Sequence, residues 1–107
     1  MARQKNLNRE FNRLYGNLDE LHRRVFSDDY RYPKELCAEW FVSTLSEIVS
    51  VEGLNVRLND DQVEHVLTLS KQIIRTKYLV NNDKSVLANL IRTLNATKVS
   101  ENQVNAR

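Results

Sequence analysis

Glycine and proline are scarce in this chain: of its 107 residues, two are glycine and one is proline. These residue types interrupt regular structure, and folds built from many short strands need them in their turns. The strict alternation of apolar and polar residues that marks a half-buried strand is also nearly absent. The sequence therefore predicts a few long helices joined by mostly short connections, which is an all-α bundle.

Helical spacing of apolar residues predicts four helices, near 4–26, 33–52, 60–80 and 84–98. Four of these boundaries carry a residue type that favours them, and these residues are Pro33, Gly53, Asn59 and Asp83. Proline is favoured in the first turn of a helix, and glycine is favoured at the left-handed position after its end. Asn and Asp are favoured at the N-cap. We expect residues 1–98 to form a single helical domain and residues 99–107 to form a frayed polar tail.

The second predicted helix is the most apolar of the four. At 100° per residue, its apolar side chains cover about two thirds of the circumference. A helix of this kind packs against several neighbours at once, so we expect it to be central, with Trp40 and Phe41 in the core. The third predicted helix is expected to bury Val80 at its end.

Composition restricts the class of protein. Charged residues make up 28% and apolar residues 41%, which is ordinary for a globular domain. No apolar run approaches the about 18 residues that a membrane-spanning helix needs, and the polar first residues lack the apolar region of a signal peptide. The single cysteine, Cys37, excludes an intramolecular disulfide. We expect a cytoplasmic protein that does not enter a membrane.

Residues that could perform catalysis do not converge in the sequence. The two histidines, His22 and His65, lie on different predicted helices, and neither has a second ligand at metal spacing. Cys37 shares an apolar helix face with Trp40, which is typical of a packed thiol. No glycine-rich loop is present to bind a phosphate. We therefore expect no enzyme activity, no metal and no cofactor.

The first predicted helix carries an apolar seam that follows a strict heptad pattern. The seam consists of Leu7, Phe11, Leu14, Leu18, Leu21 and Val25. Either the core of the same chain or a second chain can bury it. Its narrowness is more typical of a coiled coil than of a bundle helix. This favours a small interaction protein, such as an adaptor, inhibitor or regulatory subunit, that docks a helical surface on a protein partner of unknown identity or on itself.

Self-association through the seam would produce an antiparallel homodimer centred near Gly16. In that register the apolar seam residues form layers, and Glu10 of one copy lies opposite Arg24 of the other. Exposed ion pairs add little affinity, so these charges would mainly set the orientation of the two helices. The apolar layers would supply most of the affinity.

The outer face of the first helix offers an alternative, which is binding to nucleic acid. Its basic residues, with those that precede it, are Arg3, Lys5, Arg9, Arg13 and Arg23. Gly16 lies among them, although an exposed glycine within a helix costs about 1 kcal/mol relative to alanine. It would allow a phosphate backbone or another helix to approach closely, or it is simply tolerated. The formal charge is +3 over residues 1–26 and −4 over 27–53, which suggests that the first two helices complement each other.

Overall fold

The computed structural model describes the backbone of residues 2–28, 31–51 and 58–105, and the side chains of 9–28, 31–51 and 58–97. These ranges contain four helices and no strand. The helices are α1 (Ala2–Phe26), α2 (Lys34–Ser50), α3 (Asp60–Ile74) and α4 (Asn81–Asn105). The all-α bundle predicted from the sequence is confirmed.

The start of α3 is fixed by a reciprocal cap. The side chain of Asn59 accepts a hydrogen bond from the backbone N–H of Gln62 at 2.8 Å. The side chain of Gln62 in turn accepts one from the backbone N–H of Asn59 at 3.0 Å. Both bonds satisfy N–H groups that would otherwise lack a partner at the end of the helix. The N-cap role predicted for Asn59 is confirmed.

Three helix ends differ from the predicted ones. Helix α3 ends at Ile74 rather than near 80, because residues 75–79 form turns that bury Leu79. Val80, expected in the core, is 55% exposed. Helix α4 begins at Asn81 rather than near 84, and its backbone is helical to Asn105, beyond the predicted end at 98.

The end of α2 also comes earlier than predicted. The helix stops at Ser50, and Val51 already has an extended backbone (φ −66°, ψ 129°). Gly53, predicted to supply the left-handed position after this helix, lies outside the described residues.

The four helices form a ring of two hairpins. Helix α1 packs against α2, and α3 packs against α4. The hairpins meet through contacts of α1 with α3 and of α2 with α4. Helix α2 thus has two close neighbours, which agrees in part with its predicted central position, although α1 has two as well. The outer side of the α1–α2 hairpin faces away from the second hairpin and is open to solvent.

The apolar seam of α1 belongs to the core of this chain. Five of its six residues are buried, namely Phe11, Leu14, Leu18, Leu21 and Val25. The side chain of Leu7 lies outside the described residues. An antiparallel dimer built on these layers would have to displace the helices that already cover them. The described seam residues therefore contribute to the core of this chain.

The prediction that Trp40 lies in the core is wrong. Trp40 is 41% exposed, whereas the adjacent Phe41 is completely buried, as predicted. The reason is the number of neighbours that α2 has. Close packing by α1 and α4 covers only part of its circumference, so side chains at the edge of a broad apolar arc stay accessible to solvent.

Candidate interaction surface

A groove runs between α1 and α2 on the outer side of their hairpin. Its volume is about 300 Å³. We name it the aromatic groove, and its lining residues are Asn17, Glu20, Leu21, Arg24, Tyr32, Trp40 and Thr44. Helix α1 supplies the first four, the connection before α2 supplies Tyr32, and α2 supplies the last two. Residues far apart in sequence thus form one continuous surface.

Two exposed aromatic rings dominate the aromatic groove. The rings of Tyr32 and Trp40 meet edge to face with their centroids 6.0 Å apart, and each residue is 41% exposed. The guanidinium of Arg24 lies over the ring of Tyr32, 4.7 Å from its centroid. Such cation–π contact fixes an arginine against an aromatic face. Trp, Tyr and Arg are also the residue types that contribute most to binding energy in protein interfaces.

The charge of Arg24 is compensated within the chain. Its Nε donates a hydrogen bond to Oε1 of Glu20 at 3.2 Å. A hydrogen bond with Tyr32 and a second with Glu20 raise the pKa of Arg24 above its ordinary value. Arg24 is therefore held in place by both partners. The pairing of Arg24 with Glu10 of a second copy, predicted for the seam dimer, competes with this arrangement.

Exposed arginines of α1 form a basic strip on this helix. We define it by the exposed residues Arg9, Arg13 and Arg23. Arg13 donates from its Nε to Glu10 at 3.2 Å, and this hydrogen bond lowers the pKa of the Glu10 carboxyl. The Arg23 side chain is 77% exposed and lies 3.9 Å from Glu20, a loose pair. The side chains of Arg3 and Lys5, predicted to extend this strip, lie outside the described residues.

We name the exposed acidic residues of α2 the acidic strip. It consists of Glu35, Glu39 and Glu47, which are all exposed. None of them forms an ion pair within the part of the chain that the structure describes. Glu47 also has an electrostatic effect on Arg13 of α1, without an ion pair between them. Among the described residues, the arginines of α1 thus form their ion pairs with acids of their own helix.

A second cavity of about 750 Å³ lies on the other side of Tyr32. Its lining includes Phe26, Pro33, Lys34 and Tyr78. Phe26 is 55% exposed, so aromatic surface continues around this end of the bundle. This cavity is larger than the aromatic groove, in which the two rings and Arg24 are held in defined contacts.

The two histidines bridge α1 and α3 on the opposite side of α1. His65 Nε2 lies 2.6 Å from a carboxylate oxygen of Asp19, and His22 is hydrogen-bonded to Gln72. They therefore contribute to helix packing, and His65 remains exposed as its polar position predicted. In the described ranges, no three His, Cys, Asp or Glu side chains are grouped so that they could hold a metal ion.

The fold and the groove define a small all-α domain with an exposed aromatic surface. Comparisons with protein-family models, with curated proteins and with solved structures find no match. Of the helices described, none is both long and apolar enough to cross a membrane. The function must therefore be inferred from the surface itself.

Sequence reasoning missed most of the aromatic groove. It identified Arg24 as a seam residue and placed Trp40 in the core, and it gave neither Tyr32 nor Glu20 a role in binding. One signal was available: Trp40 lies at the edge of the apolar arc of α2, beside polar positions. The contact of Tyr32 with Trp40 depends on how the chain turns between α1 and α2, and no local pattern predicts that turn.

Proposed function

We propose that this chain is a small, non-enzymatic interaction protein that binds a protein partner through the outer side of its α1–α2 hairpin. The observation that carries the proposal is the exposed contact of Trp40 with Tyr32, held beside Arg24 in the aromatic groove. Two large rings that stay in water lose the free energy that burial would provide. A partner that covers them recovers it.

The composition of the groove supports binding to protein. Tyr and Trp provide large apolar contact areas with few rotatable bonds, so little entropy is lost when they are immobilised. Glu20 and Arg24 are already held by each other at the edge of the groove. The groove thus has an apolar centre and a polar edge, which is the usual organisation of a protein interface.

Site-specific photo-crosslinking tests the proposal in the cells from which the protein comes. A photoreactive residue replaces Ser43, which is exposed on α2 near the groove, or, as a matched control, Ala96, which is exposed on α4. We expect a crosslinked protein from position 43 only, and we expect Trp40→Ala to abolish it. Equal crosslinking from both positions, or crosslinking that Trp40→Ala leaves unchanged, would contradict the proposal.

Nucleic-acid binding through the basic strip is the second candidate. The exposure of Arg9, Arg13 and Arg23 favours it. Glu10 and Glu20 lie beside two of these arginines, however, and carboxylates repel phosphates. An anisotropy titration with duplex DNA, single strands and structured RNA at about 50 and 200 mM salt tests it. Neutralising the three arginines together should weaken binding and reduce its salt dependence. Absence of binding at micromolar protein would exclude it.

A further inference from the structure

We propose that the partner of the α1–α2 surface is a second copy of this chain, bound face to face about a two-fold axis that runs along the groove. The inference rests on the proposed function and names the partner of the same surface. It differs from a dimer through the apolar seam, because it leaves the core of each copy intact. Three features support this dimer: the charges of the two strips, the positions of facing residues along the hairpin, and the position of Gly16.

The two strips carry opposite charges, so two copies can complement each other. The basic strip lies on α1 and the acidic strip on α2, the two helices that line the groove from opposite sides. A two-fold axis along the groove places α1 of one copy over α2 of the other, and the reverse contact follows by symmetry. Helix α1, which carries the basic strip, then lies over α2 of the other copy, which carries the acidic strip. Such an interface is closed, so association stops at the dimer.

The position of each residue along the axis of the α1–α2 hairpin, which we call its level, decides which charged residues face each other in the dimer. Arg24 and Trp40 line the groove together, as do Asn17 and Thr44. Because α1 and α2 run in opposite directions in their hairpin, Arg23 lies at about the same level as Glu39. The two-fold axis is parallel to the hairpin, so rotation about it leaves the level of every residue unchanged. Arg23 of one copy therefore faces Glu39 of the other. This ion pair occurs twice in the dimer.

Gly16 lies where the two copies would approach most closely. A Cβ atom built on Gly16 meets nothing within 4 Å, so packing inside the chain does not require a glycine there. Its level lies near Ser43 and Ser46 of α2, both of which have small side chains. Small residues on both sides allow the backbones of two helices to come close.

Trp40 would provide the apolar centre of the interface. Because the axis follows the groove, groove residues of one copy lie near the same residues of the other. The exposed rings of Trp40 and Tyr32 would then be covered by their counterparts, with the ion pairs on either side. Apolar contact at the centre provides affinity, and the flanking charges fix the orientation.

Charge reversal tests the register. The mass of the protein is measured by sedimentation equilibrium for the wild type, Arg23→Glu, Glu39→Arg and the double variant, with Lys71→Glu on α3 as control. We expect a dimer whose Kd rises about tenfold in each single variant, because each creates two repulsive contacts. The double variant should recover the wild-type Kd, and the control should match it. Single variants that dimerise like the wild type, or a double variant without recovery, would overturn the register.

A substitution at Gly16 separates association from folding. Gly16→Gln places a longer side chain at the point of close approach, while glutamine favours the helix. We expect a thermal midpoint at least as high as that of the wild type together with loss of the dimer. Trp40 emission, the only tryptophan signal of the chain, should shift to shorter wavelength with concentration in the wild type but not in this variant. A dimer unaffected by Gly16→Gln would contradict the proposal.

Failure of this inference and failure of the proposed function give different results. A wild-type protein that is monomeric at about 100 µM excludes the second copy. If crosslinking from position 43 then still captures another protein in a Trp40-dependent manner, the proposed function stands with a different partner. If it captures nothing, both proposals fail.

Discussion

The ammonium group of Lys34, the first residue of α2, donates a hydrogen bond to the backbone carbonyl of Arg24 near the end of α1, at 2.7 Å. It also donates one to the carbonyl of Ser27. The last four carbonyls of a helix lack partners inside the helix, and a cation there also interacts favourably with the helix dipole. Lys34 thereby ties the start of one helix to the end of the other, next to the aromatic groove.

We expect Lys34→Met to lower the free energy of unfolding by about 1 kcal/mol, because two carbonyls lose a charged donor while the aliphatic chain is kept. Chemical denaturation measures this change. Lys71→Met, at an exposed position within α3, serves as control and should have an effect within about 0.5 kcal/mol. An equal effect of the two substitutions would show that the hydrogen bonds of Lys34 contribute nothing to stability.

Gly16→Ala should stabilise the fold by about 1 kcal/mol. Alanine is a better helix former and restricts the unfolded chain, and its Cβ would meet no atom within 4 Å. The change in midpoint of urea denaturation measures the gain. A loss of stability would show that the helix needs a glycine at this position for a reason inside the chain.

Much of the fold could be predicted from the sequence, because its signals are local. The spacing of the α1 seam and the cap at Asn59 depend on neighbouring residues. The described seam residues are buried in the core, one of the two alternatives that the spacing left open, and Asn59 caps α3 as predicted. The end of α3 could not be predicted in this way. Leu79 is buried from a turn rather than from a helix, so the apolar pattern continues after the helix has ended.

The candidate surface depends on longer-range relationships. Whether Trp40 is buried is decided by which helices cover α2, and its position within the apolar arc does not contain that information. Likewise, Glu10 and Arg24 could pair within the chain or between copies by charge alone. The structure places a closer partner beside each of them, Arg13 and Glu20.

Ser70 provides a test of core energetics. It is completely buried in α3, and its hydroxyl has no hydrogen-bond partner among the described residues. An unpaired buried hydroxyl has lost its hydration without compensation. We therefore expect Ser70→Ala to raise the free energy of unfolding by about 1 kcal/mol more than Ser43→Ala, the exposed control that accounts for helix propensity. If Ser70→Ala is destabilising, the hydroxyl has a partner, such as a bound water, that compensates its burial.

Tyr15 should make stability depend on pH in the alkaline range. Burial, and secondarily the charge of Asp19, raise the pKa of Tyr15 above its ordinary value near 10. The unfolded state therefore loses the phenolic proton at a lower pH than the folded state does. The stability that this difference provides is fully present below the unfolded pKa and declines as the pH rises through the folded pKa.

We expect Tyr15→Phe to remove this part of the alkaline decline while it preserves the contact with Phe11, whose ring centroid lies 6.3 Å away. Thermal midpoints of wild type and variant, compared between pH 8 and pH 11 as an operational range around the ordinary pKa, measure the difference. Curves that stay parallel over this range would show that Tyr15 titrates alike in both states.

Trp40 and Phe41 are adjacent aromatic residues that differ in exposure, so their substitution should have different effects on stability. Phe41 is completely buried, so Phe41→Ala creates a cavity in the core and should cost about 3–5 kcal/mol. Trp40 keeps 41% of its surface in water and contacts Tyr32 at the edge of the fold. Trp40→Ala should therefore cost markedly less, about 1 kcal/mol.

Urea denaturation, followed by far-UV circular dichroism because the variant lacks tryptophan, measures both costs at one protein concentration. The concentration must lie well below the dimer Kd, since any association through the groove would add to the apparent stability of the wild type. Under these conditions, Trp40→Ala could lower the free energy of unfolding as much as Phe41→Ala does. That result would place the indole in the core and would exclude the aromatic groove as a binding surface. A small loss combined with the expected loss of crosslinking would show that Trp40 acts in binding rather than in folding.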